Sequence, residues 1–279
     1  MKQFSFQAHT PFEFEIKDLA YIKRFKQVTG VPHRADFYQI VWIESGESVQ
    51  TVDFCPIKVV GGQILFVAKN QVVSFDTLSS YNGQIILFTD IFFNRSDFDT
   101  RLIKQLNLFN PFTGNTPIAT NGKMISLWHM MKDEFQAKHD NFQSNTLHSL
   151  LNAFLLQTSR QNAANITQTQ NKNYQISLQF AELVEQHFKS LRKVNDFVEM
   201  MSISPKSLSK SLQATIGKTP KEYIDGHILL EAKRLLVYSN ENIKEIAYVL
   251  GFEEPTNFSK FFREQTCLSP AEFKKQYTA

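Results

Sequence analysis

Between residues 37 and 93 the apolar positions fall in short runs with no helical period. Residues 37–43 are β-branched and aromatic, and Glu44-Ser45-Gly46-Glu47 reads as the turn that ends the run. Further runs at 57–60, 64–67, 71–75 and 85–88 are separated by Gly61-Gly62, Lys69-Asn70 and Asn82-Gly83. Closely spaced short strands of this kind predict an antiparallel sandwich or barrel. The period then changes. Met124, Trp128, Met131 and Phe135 form one apolar stripe, and Leu147, Leu150, Leu151, Phe154 and Leu155 form another, at helical spacing. Two tandem helices follow over about 122–158, and their stripes serve equally well for packing on the β-region or for a dimerisation hairpin.

Nine Asn or Gln residues lie between Gln157 and Gln175, with Ala163, Ala164, Ile166 and Tyr174 as the only apolar ones. Such a stretch buries too little surface to offset its ordering entropy, so 161–174 reads as a linker. Beyond it the pattern is helical and repeats. A shift of fifty residues places Pro205 on Pro255, Ser209 on Ser259, Lys210 on Lys260, Pro220 on Pro270 and Glu222 on Glu272. Leu208, Leu212 and Tyr223 fall on Phe258, Phe262 and Phe273, and one extra residue aligns Phe197-Val198 with Ile246-Ala247 and Met201 with Leu250.

Each copy reads as helix, tight turn, helix. In the first, 194–201 is helical, Ser202-Ile203 turns, and Ser204 caps a helix with Pro205 at its first position. In the second, Asn242 with Glu245 makes a capping-box start, Gly251 turns, and Pro255 opens the next helix behind Glu254, a weaker cap. A helix over about 224–238 separates the copies; at 1.5 Å per residue it is about 22 Å long. With the widths of the flanking units, it could set two recognition helices about 34 Å apart, one turn of DNA.

Composition narrows the class. The 279 residues suit two domains, and 42% hydrophobic with 20% charged residues suits a folded core. The net charge of +3 excludes a polybasic tail binder and leaves a focused DNA-binding face open. From Gln175 onward there are fourteen Lys or Arg and thirteen Asp or Glu, so non-specific electrostatic affinity is expected to be modest. Cys55 and Cys267 fit no disulfide or metal spacing, which points to a reducing compartment. With no signal-like apolar region and no run of about 18 apolar residues, a cytoplasmic protein without membrane attachment is expected.

The residues Ile243-Lys244-Glu245-Ile246-Ala247-Tyr248-Val249-Leu250-Gly251-Phe252, then Phe258-Ser259-Lys260-Phe261-Phe262-Arg263 and Ser269-Pro270-Ala271-Glu272-Phe273, resemble the signature of the AraC/XylS family of bacterial transcription regulators. The resemblance covers about 176–277. More softly, Pro32-His33-Arg34-Ala35-Asp36-Phe37-Tyr38-Gln39-Ile40 with Ser45-Gly46 resembles that family's cupin-like regulatory domain. It implies an α+β multidomain chain. Residues 1–160 would be a cupin-like antiparallel β-barrel for sensing and dimerisation, and 175–279 an all-α DNA-binding domain of two helix-turn-helix units joined by a spacer helix. It also implies effector sensing, often of a sugar or other small molecule. Ile228 stands where the family usually has Arg, and Ser202 and Cys267 where it usually has Gly. Glycine at such turns commonly serves φ > 0, so strain or a different shape is expected there.

On the first recognition helix, Lys206, Ser209 and Lys210 match the family's reading positions, with Ser207 and Gln213 as neighbours or phosphate contacts. On the second, the corresponding set is Thr256, Asn257 and Lys260, with Arg263 on a phosphate. Lys can donate to guanine O6 and N7, and Asn can pair with adenine. The expected partners are double-stranded DNA, a second copy through the hairpin, RNA polymerase if the protein activates, and a small effector. No cofactor is expected. The alternative is a cupin-type metalloenzyme or sugar-binding protein with a helical assembly domain. Against it, His33 is alone in its motif, the strand at 69–73 lacks a His, and His129, Asp133 and His139 interleave with an apolar stripe. No catalytic or metal site is expected.

Overall fold

The computed structural model describes residues 2–6, 12–24, 30–106, 108–109, 115–163 and 172–278. The chain divides into two compact units, Lys2–Thr167 and Gln168–Ala279. The first opens with β1 (Lys2–Phe4), β2 (Phe14–Asp18), α1 (Leu19–Arg24) and β3 (His33–Ala35). Then come β4 (Tyr38–Val52), β5 (Cys55–Val60), β6 (Gln63–Val67), β7 (Val72–Ser74) and β8 (Tyr81–Phe88). Helices α2 (Asp90–Phe93) and α3 (Asp97–Gln105), strand β9 (Ile118–Ala119), and helices α4 (Gly122–Gln136) and α5 (Gln143–Ala163) complete it.

Two of the expected turns are strand. Glu44-Ser45-Gly46-Glu47 continues β4 instead of ending it: Ser45 and Gly46 pair with Asn82 and Tyr81, and Glu47 pairs with Val60. A register shift between Ile43 and Ser45 and a φ of +80° at Gly46 bend the strand from one partner to the next. Asn82-Gly83 likewise lies inside β8. A Cβ on Gly83 would stand 2.0 Å from the Trp42 carbonyl oxygen, so glycine serves close strand contact there, not a turn. Gly61-Gly62 and Lys69-Asn70 do turn, with φ of +82° at Gly62 and +65° at Asn70. The sheet is antiparallel except for β1, which pairs with β3 in parallel after a long crossover.

The central strands alternate between two apolar faces. Val41, Ile43, Leu65, Val67 and Ile85 join one core cluster; Tyr38, Ile40, Trp42, Ile64, Phe66 and Ile86 join the other. The second face receives Met124, Trp128 and Met131 of α4 and Leu147, Leu151, Phe154 and Leu155 of α5. Both helical stripes are therefore used up within the unit. At about 1.5–3 kcal/mol for each fully buried large apolar side chain, this packing is a main source of its stability. The indole N–H of Trp128 donates to Gln84 Oε1 at 2.7 Å, so its polar group is satisfied, whereas the buried indole N–H of Trp42 packed against it finds no acceptor among the described residues. The aromatic residues of β4 thus pack against the helices, the plain-core role.

The second unit comprises α6 (Lys172–His187), α7 (Val194–Met200), α8 (Pro205–Ile216), α9 (Pro220–Tyr238), α10 (Ile243–Val249), α11 (Pro255–Thr266) and α12 (Pro270–Thr278). Of the expected linker 161–174, residues 161–163 belong to α5 and 172–174 to α6, while 164–171 lie outside the described residues. The spacer helix is longer than expected. Thr219 and Glu222 cap each other reciprocally and Pro220 takes the first position, so α9 starts four residues early and spans about 28 Å. Among the described residues no helix is long and apolar enough to cross a membrane.

Candidate nucleic-acid interface

The first helix-turn-helix is α7, the turn at 201–204 and α8. Ser204 Oγ accepts from the Ser207 N–H at 3.1 Å and Pro205 occupies the first turn, which fixes where α8 begins. Leu208 and Leu212 are fully buried, which orients the rest of the helix. Lys206, Ser209, Lys210 and Gln213 are exposed, and Ser207 is half-buried. Lys206, Lys210 and Gln213 fall at i, i+4 and i+7 and so share one face of α8.

The second unit, α10 to α11, repeats this geometry. Asn242 and Glu245 form a reciprocal capping box, Phe258 and Phe262 are fully buried, and Thr256, Asn257, Lys260 and Arg263 are exposed. Thr256, Lys260 and Arg263 fall at i, i+4 and i+7, matching the first copy. Glu254 precedes α11 without a side-chain capping bond. Lys206, Lys210 and Lys260 are exposed, and Arg263 lies near enough to Glu272 to help its Ser269 hydrogen bonds hold that carboxyl below its ordinary pKa.

The hydrogen bonds of the two turns correspond one for one. Met201, Ser202 and Ile203 donate to Phe197, Glu199 and Val198; Leu250, Gly251 and Phe252 donate to Ile246, Tyr248 and Ala247. Ser202 (φ +52°) and Cys267 (φ +60°) are both left-handed, so the positions expected to need glycine keep that conformation with a side chain in place. Ile228 is buried at 2% exposure and contributes packing where the family usually carries Arg. Arg234, six residues on, is also buried and pairs with Glu231.

Helix α9 touches both copies. Tyr223 meets Phe180, which meets Phe197 of the first unit, with ring centroids 5.5 Å apart in each pair. Near its other end, Lys233 lies over the ring of Phe273 in α12. His227, 3% exposed, packs 4.6 Å from the Phe188 ring and 3.8 Å from Glu185 Oε2. Burial pulls its pKa down to about 4, against a raising effect of Glu231.

The residues weighed as metal ligands are dispersed. His33 is buried in β3, its Nδ1 3.0 Å from the Val31 carbonyl and its ring stacked on Phe75, and burial lowers its pKa. His129 and Asp133 are exposed on α4, and His139 Nδ1 lies 2.9 Å from Gln143 Oε1. No group of three or more His, Cys, Asp or Glu among the described residues is placed to hold a metal ion. Sequence reasoning missed Arg192, in the loop between α6 and α7. Its guanidinium lies 3.6 Å from the Phe252 ring centroid and donates to the Leu250 carbonyl at 2.6 Å. A lone Arg in a polar loop gives no periodic signal by which to find it.

Residues 197–276 match the family described as a helix-turn-helix domain. The chain is similar to the HTH-type transcriptional activator RhaS of Enterobacter sp. (strain 638), at 23% identity over 257 residues and 90% of each chain. RhaS of Escherichia coli O81 (strain ED1a) is 24% identical over 264 residues, again 90% of each. Among solved structures it is similar to ToxT from Vibrio cholerae, at 16% identity and a TM-score of 0.48, over 96% of this chain and 100% of that one. Both copies of the duplicated helix-turn-helix fall on the residues that match a helix-turn-helix family, and along its length the chain is similar to AraC/XylS-type transcription regulators.

Proposed function

We propose that the chain is a sequence-specific regulator whose two recognition helices read successive major-groove segments on one face of a duplex. The observation that supports this is the repeated exposed stripe, Lys206, Lys210, Gln213 and Thr256, Lys260, Arg263, on two helices held by one spacer. Lys206, Ser209 and Lys210 contact base edges in the first segment, and Thr256, Asn257 and Lys260 in the second. Ser207, Gln213 and Arg263 hold neighbouring phosphates. Residues 175–279 form the DNA-binding domain, reached through the segment that joins α5 to α6.

Residues 1–160 act as the regulatory domain, a cupin-like sheet closed into a barrel that responds to a small effector or a partner. The activator names of the RhaS relatives favour activation, with RNA polymerase as a partner. A homodimer through the hairpin over 122–158 fits the same reading. Because the apolar stripes of α4 and α5 are buried against the sheet, that dimer uses their outer faces, where Met130 and Leu156 are exposed. The site of action is the cytoplasm.

Selection of fragmented genomic DNA on the purified protein, at about 0.15 M salt where weak non-specific binding is screened, tests this reading. Recovery of a few loci that share two motifs about one turn apart is the expected result. Repeated failure to enrich any sequence, with and without cell extract, would sink it.

A further inference from the structure

The two recognition units are connected twice. Helix α9 is the covalent bridge. The other bridge is the loop between α6 and α7, which is joined to the first helix-turn-helix copy and lands on the turn of the second copy. There Arg192 Nη2 donates to the carbonyl of Leu250, the residue that ends α10 and whose carbonyl the helix leaves without an internal partner. The same guanidinium covers the face of Phe252. Phe252 is buried and packs on Phe258 and Phe261 of α11, at ring-centroid distances of 5.3 and 5.5 Å. A short chain of contacts thus runs from the loop to the second recognition helix. At Gly251 the backbones are so close that a Cβ would stand 1.7 Å from the Lys189 carbonyl oxygen.

We propose that Arg192 is a positioning residue: by clamping the Leu250–Phe252 turn, it fixes the second recognition helix relative to the first and so sets which spacing of the two DNA segments the chain accepts. The inference rests on the two-segment reading of DNA given above. Three features of one side chain act together here: a hydrogen bond to a helix-end carbonyl, a positive charge at the negative end of α10, and a flat surface against an aromatic ring. Lysine supplies the first two and lacks the third. Removing the clamp leaves α9 and the backbone approach of Lys189 to Gly251, which carries no hydrogen bond or charge to hold the turn in one orientation. The cores of the two units, built on Leu208, Leu212, Phe258 and Phe262, do not include Arg192, so each recognition surface survives its loss.

The test measures binding of full-length protein to three kinds of DNA at low salt. One carries both motifs at their selected spacing, one carries them with the spacing changed by one base pair, and one carries a single motif. Wild-type protein is expected to prefer the selected spacing. Arg192→Ala should bind the single motif within about two-fold of wild type, lose about ten-fold on the paired motifs, and discriminate less between spacings. Arg192→Lys should recover part of that discrimination, and Arg192→Met, which keeps an apolar stem over Phe252, should imitate the alanine variant if the latter proves poorly folded. Unaltered spacing discrimination in Arg192→Ala would overturn the inference, as would equal losses on single and paired motifs, which indicate only damage to the fold. A wild-type protein that binds one motif as tightly as two would instead overturn the two-segment reading itself.

Discussion

At the two left-handed turns of each helix-turn-helix, the copies exchange their glycines. The first has Ser202 between its helices and Gly217 after its recognition helix; the second has Gly251 and Cys267. The caps differ between the copies, but the backbone hydrogen bonds of the inter-helix turns and the buried pairs correspond, so the conformation is set by the duplicated core and not by glycine. Charge separates the copies. Residues 189–218 carry Lys189, Arg192, Lys193, Lys206, Lys210 and Lys218 against Asp196 and Glu199. Residues 239–268 carry Lys244, Lys260 and Arg263 against Glu241, Glu245, Glu253, Glu254 and Glu264. The same backbone therefore presents a cationic reader and a mildly anionic one. Under the proposed reading of DNA, the first copy would supply more of the phosphate attraction and the second would depend more on hydrogen bonds to bases.

The largest expected effect separates the two inter-helix turns. Gly251→Ala forces a Cβ into the Lys189 carbonyl and should cost about 3 kcal/mol or more in chemical denaturation. Loss of less than about 1 kcal/mol would mean that the loop yields and that the two turns are equivalent after all. Next comes the spacer that both copies share. The pKa of His227 is about 4 when folded and about 6.5 when unfolded, so below pH 6.5 the unfolded chain binds a proton that the folded one refuses. Its contribution is complete above about pH 6.5 and fades as pH falls toward 4, by about 3 kcal/mol at most. Denaturation across this range, with His227→Gln as the control whose pH slope is smaller, measures it. An equal slope in the control would remove His227 as the source.

Charge gives the third contrast. Lys210→Ala should weaken specific binding by about 1–3 kcal/mol without unfolding the protein, and Lys260→Ala by an amount in the same range. Because a lysine at a base edge also lies close to the flanking phosphates, Lys206→Ala with Lys210→Ala should lower the slope of log affinity against log salt by up to about 2. A larger fall in slope from Lys260→Ala with Arg263→Ala would reverse the assignment of roles. Smallest is the relief of strain. Ser202→Gly and Cys267→Gly should each change stability by under about 1 kcal/mol, and in the stabilising direction, because glycine enters the left-handed region freely. Thermal melting of either variant below wild type would contradict this.

Much of this molecule is written in residue spacing. The duplicated unit could be read because Leu208, Leu212, Phe258 and Phe262 must recur at fixed offsets to bury one face, and because Ser204, Pro205, Asn242 and Pro255 mark helix starts by local chemistry. The α4 and α5 stripes were equally legible, but a stripe does not name what covers it, and here the sheet does. Glu44-Ser45-Gly46-Glu47 resembled a turn because its residues are polar and small; pairing with two different strands overrode that preference. Arg192 differs from these. It acts on a turn 58 residues away, and no local pattern records such a contact.

Hydroxyl-radical footprinting of the protein on a selected DNA site tests the central claim most directly. Two protected patches on one face of the duplex, about one helical turn apart, are predicted, with Lys210→Ala weakening one and Lys260→Ala the other. A single patch that responds to only one of these substitutions would contradict the account.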